Sequence, residues 1–245
     1  MNLRKTITKC VGLLLDYTVV PVVKYTYLRL TACSHPRSKT VIDVLRDRAA
    51  ISSADYVEGH MPYALEFPDR FKLLDYSLTK IAVSGIYAEF GVWKGQSINH
   101  IANSLNGDTR IYGFDSFQGL REDWRGHDLT KGCFSLDGRL PAVASKVQLI
   151  AGWFDETIPP FLKEDPSPFA FIHIDSDTYE ACKTVFGLIG ERLIPGTVIV
   201  FDEYFGNTGW QVGEWKAWQE FVAAHGIRYE YLGFSENQVS VKICS

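Results

Sequence analysis

From residue 86 onward, short apolar runs alternate with stretches that repeat apolar residues at helical spacing. The runs at 86–90, 111–114, 147–150, 169–174 and 198–201 read as strands, and those at 96–105, 156–163, 179–193 and 214–225 as helices. Such alternation predicts a mostly parallel sheet with helices on both faces. The last two runs, 229–232 and 239–243, follow each other with no helix between them, only Gly233 to Asn237. They are expected to close the sheet as an antiparallel hairpin at one edge. The expected fold is therefore α/β and doubly wound, with a mostly parallel seven-stranded sheet and an antiparallel C-terminal hairpin. Upstream, Asp69 can cap a helix to about Val83, with Phe71, Leu74, Leu78 and Ile81 on one face and Gly85 as the stop.

A chain of 245 residues that is 46% hydrophobic can bury one large core with some decoration. Residues 68–245 read as one domain, and residues 1–67 as an N-terminal helical cap or interaction segment. In that segment Arg4, Lys5 and Lys9 precede two apolar runs, but Asp16, Pro21, Lys24 and Arg29 break them well short of the roughly 20 residues of a membrane span. Amphipathic helices are expected there, capping the core, forming a homo-oligomer surface, or making peripheral contact with a membrane. A net charge of −4 gives no general basic field, so nucleic acid is not the expected partner and a small-molecule or glycan acceptor fits better. The five cysteines are scattered without a C-x-x-C pair, which suggests neither a disulfide framework nor a zinc cage and suits the reducing cytoplasm.

In an open α/β sheet the ligand lies at the carboxyl ends of the strands, so residues just after strands carry the chemistry. The first strand leads through Glu89-Phe90-Gly91-Val92-Trp93-Lys94-Gly95-Gln96-Ser97 into a helix. Gly91 and Gly95 allow a tight turn, the helix start offers free N–H groups to a carboxylate, and Glu89 can meet an ammonium. The spacing matches acid-x-Gly-x-Gly-x-Gly with Trp93 at the middle glycine, and it breaks the dinucleotide pattern, where Trp93 and Gln96 occupy glycine positions. The next strand ends in Asp115-Ser116-Phe117, where an acid can accept both hydroxyls of a ribose or serve as a turn residue. Trp153 and Phe154 can flank an adenine or simply pack.

The fourth and fifth parallel strands end in His173-Ile174-Asp175-Ser176-Asp177 and Phe201-Asp202-Glu203-Tyr204. Four carboxylates at one rim call for a proton or a cation, and an oxygen-only set suits Mg²⁺ or Mn²⁺. The competing reading makes them helix caps, and His173 reads as a satisfied core histidine. The long segment from Arg121 to Leu140 offers Trp124, His127 and Lys131 as substrate contacts or lid residues, and the separate stretch from Trp210 to Trp218 offers Trp210, Trp215 and Trp218 as core or pocket aromatics.

Taken together, these blocks resemble the metal-dependent sugar O-methyltransferases of the macrocin O-methyltransferase family, within the class I methyltransferases that use S-adenosylmethionine. The resemblance spans about Arg70 to Tyr204. It implies that Asp175, Asp202 and Glu203 hold the metal, that Asp177 is the general base, and that Glu89, Gly91, Asp115 and Ser116 carry the cofactor, with Gly95, Ser97, Phe117, Trp153 and Phe154 completing its site. Glu203 departs from the family, which has a second aspartate there, and lengthens one ligand arm. A catechol-like phenol O-methyltransferase and a non-catalytic binding or assembly protein of the same fold are the rival readings.

Overall fold

The computed structural model describes residues 39–124 and 127–245. The expected N-terminal amphipathic helices fall outside the described residues up to position 38. Six helices are described: α1 (Val41–His60), α2 (Arg70–Leu78), α3 (Gln96–Ser104), α4 (Phe154–Glu164), α5 (Tyr179–Ile189) and α6 (Glu214–His225). Eight strands form one sheet: β1 (Leu65–Glu66), β2 (Ile86–Phe90), β3 (Ile111–Asp115), β4 (Val147–Ala151), β5 (Phe169–Ile174), β6 (Val198–Phe201), β7 (Tyr229–Phe234) and β8 (Val239–Ile243). None of the described helices is long and apolar enough to cross a membrane.

The strand order is β1-β7-β8-β6-β5-β2-β3-β4. All pairs are parallel except β6 with β8 and β7 with β8, which form the expected antiparallel ending. The chain runs outward from β2 through β3 to β4 and then returns to place β5 on the other side of β2. That reversal opens a crevice at the carboxyl ends of β2 and β5.

The eighth strand, β1, pairs only Leu65 and Glu66 with Gly233 and Phe234 of β7, and two residues are too few for any periodic signal. It lies in the stretch assigned to an N-terminal segment. The compact unit that holds the sheet spans Leu45–Ser245, with Ala49 and Met61 buried in its core. Asp69 caps α2 as expected, its Oδ1 accepting from Lys72 N at 3.0 Å. The helix stops at Leu78, because the chain beyond it turns to bond along the sheet end, where Ala82 N donates to Gly196 O at 3.2 Å. Helix α5 likewise stops at Ile189 and tightens into a 3-10 turn over Gly190–Arg192. A Cβ on Gly190 would stand 2.7 Å from the Phe221 ring.

Period-two alternation divides the core into two layers. Ala88, Phe90, Ile172, Ile174, Ile199 and Phe201 pack with α4, α5 and α6, where Trp218 is buried against Phe186. Tyr87, Phe171, Val198 and Val200 face the opposite layer, with Leu73 and Leu74 of α2 and Ile98 and Ile101 of α3. By the same alternation Glu89, His173 and Asp202 fall on the α2/α3 side. That placement controls what they can touch.

Candidate functional site

A cavity of about 560 Å³ opens at the carboxyl ends of the central strands, within the size range of ligand pockets. Gly91, Ser97, Asp115, Ser116, Trp153, Phe154, Asp175, Asp177, Asp202 and Glu203 line it. Glu89, Gly95 and Phe117 do not. Phe117 is buried among the aliphatic side chains of the α2/α3 layer, and Gly95 is the left-handed N-cap of α3.

Glu89 is fully buried beneath the cavity floor, so it meets neighbouring side chains where an ammonium was expected. Its Oε1 accepts from Ser97 Oγ at 3.0 Å, and its Oε2 lies 3.1 Å from His173 Nδ1. The register that pairs Glu89 with His173 across β2 and β5 sets this contact. On the other side, His173 Nε2 faces Asp202 Oδ1 at 3.8 Å, an ion-pair distance too long for a hydrogen bond. Burial alone would lower the pKa of His173, but Asp202 and Glu89 outweigh it and push it up to about 10. The two carboxylates on either side of the ring thus favour its protonated form. For Asp202, burial opposes ionisation, yet His173 and Arg70 hold its carboxyl below the ordinary value.

Arg70, at the start of α2, was missed in the sequence because one arginine in a helix carries no signal. Its guanidinium reaches Asp202 Oδ2 at 3.5 Å and donates to Gln96 Oε1 at 2.8 Å. A chain of polar groups thus runs from the start of α3 through Arg70, Asp202, His173 and Glu89 back to Ser97.

Asp115 does not present a free carboxylate to the cavity. Its Oδ2 accepts from the N–H groups of Val92 and Trp93 at 2.8 and 2.7 Å, and its Oδ1 from Phe117 N at 2.7 Å. These bonds hold the turn after β2 and explain how Trp93 replaces a glycine: it sits at φ 45°, a left-handed conformation that bulky residues avoid. Lys94 Nζ over its ring at 4.3 Å and Phe134 edge-on at 5.4 Å complete that corner.

The carboxylates at the far rim are free of capping duties. Thr178 caps α5 through its own side chain, and α6 begins only at Glu214, with Gly213 as its N-cap. One set of candidate ligand atoms joins His173, Asp175 and Asp202, and another Asp175, Asp177 and Glu203; Asp175 belongs to both. Asp202 Oδ1 and Glu203 Oε2 are buried without a hydrogen-bond partner, which native proteins rarely leave so. Burial first, then repulsion from Asp202, holds the Asp175 and Glu203 carboxyls well above their usual range. A hard cation fits the all-oxygen set of Asp175, Asp177 and Glu203 and would relieve that repulsion. Asp177 sits at φ 62° and lines the same cavity, its pKa pushed up to about 7 by burial and by Asp202 and Asp115.

Glu214 is the second residue the sequence did not single out, since a glutamate in a first helical turn is commonplace. Its Oε1 accepts from Ser176 N at 3.1 Å and Ser176 Oγ at 3.4 Å, and its Oε2 from Glu203 N at 3.2 Å. Burial raises its pKa to about 8 against the pull of those backbone bonds. Behind the rim, the Tyr204 hydroxyl lies 2.8 Å from Tyr231 Oη, which also meets Tyr56 and Tyr229 at 2.7 and 3.0 Å.

From the long loop, Arg121, Glu122, Trp124 and Phe134 line the cavity, whereas His127 stacks on Trp124 at 4.2 Å and, with Lys131, stays outside the lining. Arg121 bonds both oxygens of Asp155 at 3.0 and 3.2 Å and stacks 4.5 Å over Trp153. Trp218 is core, and Trp210 is buried but borders a small recess beside Asp177 and Glu203.

A family model described as a methyltransferase domain matches residues 88–204. The chain is 26% identical over 159 residues to 8-demethyl-8-(2,3-dimethoxy-alpha-L-rhamnosyl)-tetracenomycin-C 4'-O-methyltransferase of Streptomyces olivaceus, covering 55% of this chain and 60% of that protein. It thus spans well under two thirds of that curated relative's length. Among solved structures it is similar to the calicheamicin methyltransferase CalS11, with a TM-score of 0.59 and 21% identity over 83% of this chain and 93% of the other. It is also similar to the O-methyltransferase NovP, with a TM-score of 0.56 and 18% identity over 72% and 80% of the two chains. At these identities the structural likeness establishes the fold. The chain has the class I methyltransferase fold, with a methyltransferase domain matched over residues 88–204.

Proposed function

We propose that this chain is an S-adenosylmethionine-dependent O-methyltransferase that methylates a hydroxyl of a sugar or glycosylated metabolite with the help of Mg²⁺ or Mn²⁺. The observation that carries the reading is a single cavity that joins a glycine turn at a helix start to four carboxylates, two of them with an unpartnered buried oxygen. The Streptomyces olivaceus relative is named for methylation of a rhamnosyl group, and CalS11 is also described as a TDP-rhamnose 3'-O-methyltransferase. Cys133, Cys182 and Cys244 are free, which suits a cytoplasmic enzyme.

Each lining residue then has a task. The backbone at Gly91 and the N–H groups at the start of α3, with Ser97, receive the cofactor's carboxylate. Ser116 and the one acceptor position left on Asp115 face the ribose, and Trp153 with Phe154 flank the adenine. Glu89, Gly95 and Phe117 act from behind by fixing that frame. Asp175, Asp202 and Glu203 would hold the cation, which supplies charge to acidify and fix the acceptor hydroxyl. The cofactor supplies a methyl group on a positively charged sulfur. Asp177 takes the hydroxyl proton on a carboxylate oxygen as the acceptor oxygen takes the methyl group. Arg121 and Trp124 close the cavity over the reactants and keep water out.

Incubation with isotope-labelled S-adenosylmethionine and fractionated glycans and metabolites of the source organism, with Mg²⁺ or with EDTA, tests the reading. Label is expected in a carbohydrate fraction, and only when the metal is present. Label on protein or nucleic acid, or equal labelling in EDTA, would overturn it.

A further inference from the structure

We infer that Glu214 is a positioning residue that sets the spacing between the two carboxylate-bearing loops, and so the affinity of the site for a divalent cation; this rests on the cation reading above. The sheet ladder cannot do that work. The last pair between β5 and β6 is Ile174 with Phe201, and the bond from Asp202 N to Ile174 O at 2.9 Å ends the contact between the strands. Beyond it Asp175 keeps one sheet bond, from its N–H to Phe90 O of β2 at 2.9 Å, but Asp177 and Glu203 lie where backbone position must come from elsewhere.

Glu214 reaches that gap from the first turn of α6, fully buried. One oxygen accepts the N–H of Ser176, which stands between Asp175 and Asp177, and the other accepts the N–H of Glu203, next to Asp202. The carboxylate is thus a bridge between loops 27 positions apart in the chain (203 less 176). Its reach is spent away from its own helix, whose first N–H groups receive no side-chain cap. Groups that orient metal ligands commonly alter metal affinity 10- to 100-fold when removed. A glutamine at this site keeps the shape but turns an NH₂ toward one of the two N–H groups, breaking the bridge on one side.

Mn²⁺ titration followed by electron paramagnetic resonance, without acceptor, reads the effect directly. Glu214→Gln is expected to weaken Mn²⁺ binding about 10-fold or more while S-adenosylhomocysteine binding stays as in the wild type. Glu214→Asp, which keeps the carboxyl group but is too short to span both loops, is expected to do the same and serves if the glutamine variant fails to fold. A purely structural residue would lower the melting temperature and leave the Mn²⁺ affinity of the folded protein unchanged, and that result overturns the inference. A wild type that binds no Mn²⁺ instead overturns the cation reading on which it rests.

Discussion

Asp177→Asn is expected to lower turnover about 100- to 10,000-fold, the usual contribution of a positioned general base. S-adenosylhomocysteine binding should be unchanged, because Asp177 lies on the carboxylate side of the cavity, away from the turn after β2. The substitution is a clean probe for a structural reason. At φ 62° the residue occupies the left-handed region, where asparagine is as well tolerated as aspartate, so the backbone of the loop after β5 has no reason to move. The amide has the shape of the carboxylate but cannot take a proton. Turnover would be measured on the acceptor fraction identified by labelling, and cofactor binding by calorimetry. Full turnover in the variant would remove Asp177 from the chemistry, whereas loss of cofactor binding would mean that the loop had collapsed.

Much of this site was legible before any coordinates. Asp175, Asp177, Asp202 and Glu203 reach one cavity because parallel strands deliver their carboxyl ends to one rim, and strand ends are visible in the apolar pattern. The capping alternative could not be dismissed from sequence, since it turns on where α6 begins. Only the structure puts the cap of α5 on Thr178 and the start of α6 at Glu214, leaving the acids free of capping bonds.

Where expectation and structure part, the side chain's direction is the reason. Glu89 and Phe117 stand at motif positions, but strand alternation turns Glu89 onto the α2/α3 face beneath Ser97, and the positive φ of 55° turns Phe117 into the core. Asp115 stands where a ribose-binding acid should, and most of its acceptor capacity goes to the N–H groups of Val92, Trp93 and Phe117. Glu214 and Arg70 left no trace in sequence because their partners are far along the chain, 38 positions away for Ser176 and 132 for Asp202. The strand β1 was hidden by its length.

Gly91→Ala is expected to do more damage than any other single-methyl change at the site. A Cβ at position 91 would stand 1.7 Å from the carbonyl oxygen of Asp175 and 2.6 Å from its carbon, at a φ of +92°. Neither partner can step aside cheaply: Gly91 N is bonded to Phe114 O, and Asp175 N to Phe90 O, both at 2.9 Å. Backbone strain and overpacking each cost about 1–3 kcal/mol, so a combined loss of about 2–6 kcal/mol is expected, each kcal/mol being worth roughly 2–4 °C in melting temperature for a chain of this size. Gly107→Ala supplies the control. Gly107 is also left-handed, at φ +55°, but a Cβ there meets nothing within 4 Å, so only the conformational penalty of about 1 kcal/mol applies. The two variants share a backbone type and differ in the neighbour. If they melt together, the close approach of Asp175 is not what requires glycine at position 91. If Gly91→Ala melts far lower and also loses both Mn²⁺ and S-adenosylhomocysteine binding, the same contact joins the cofactor turn to the first metal-bearing loop, because moving Asp175 to admit a methyl group displaces one site in order to preserve the other.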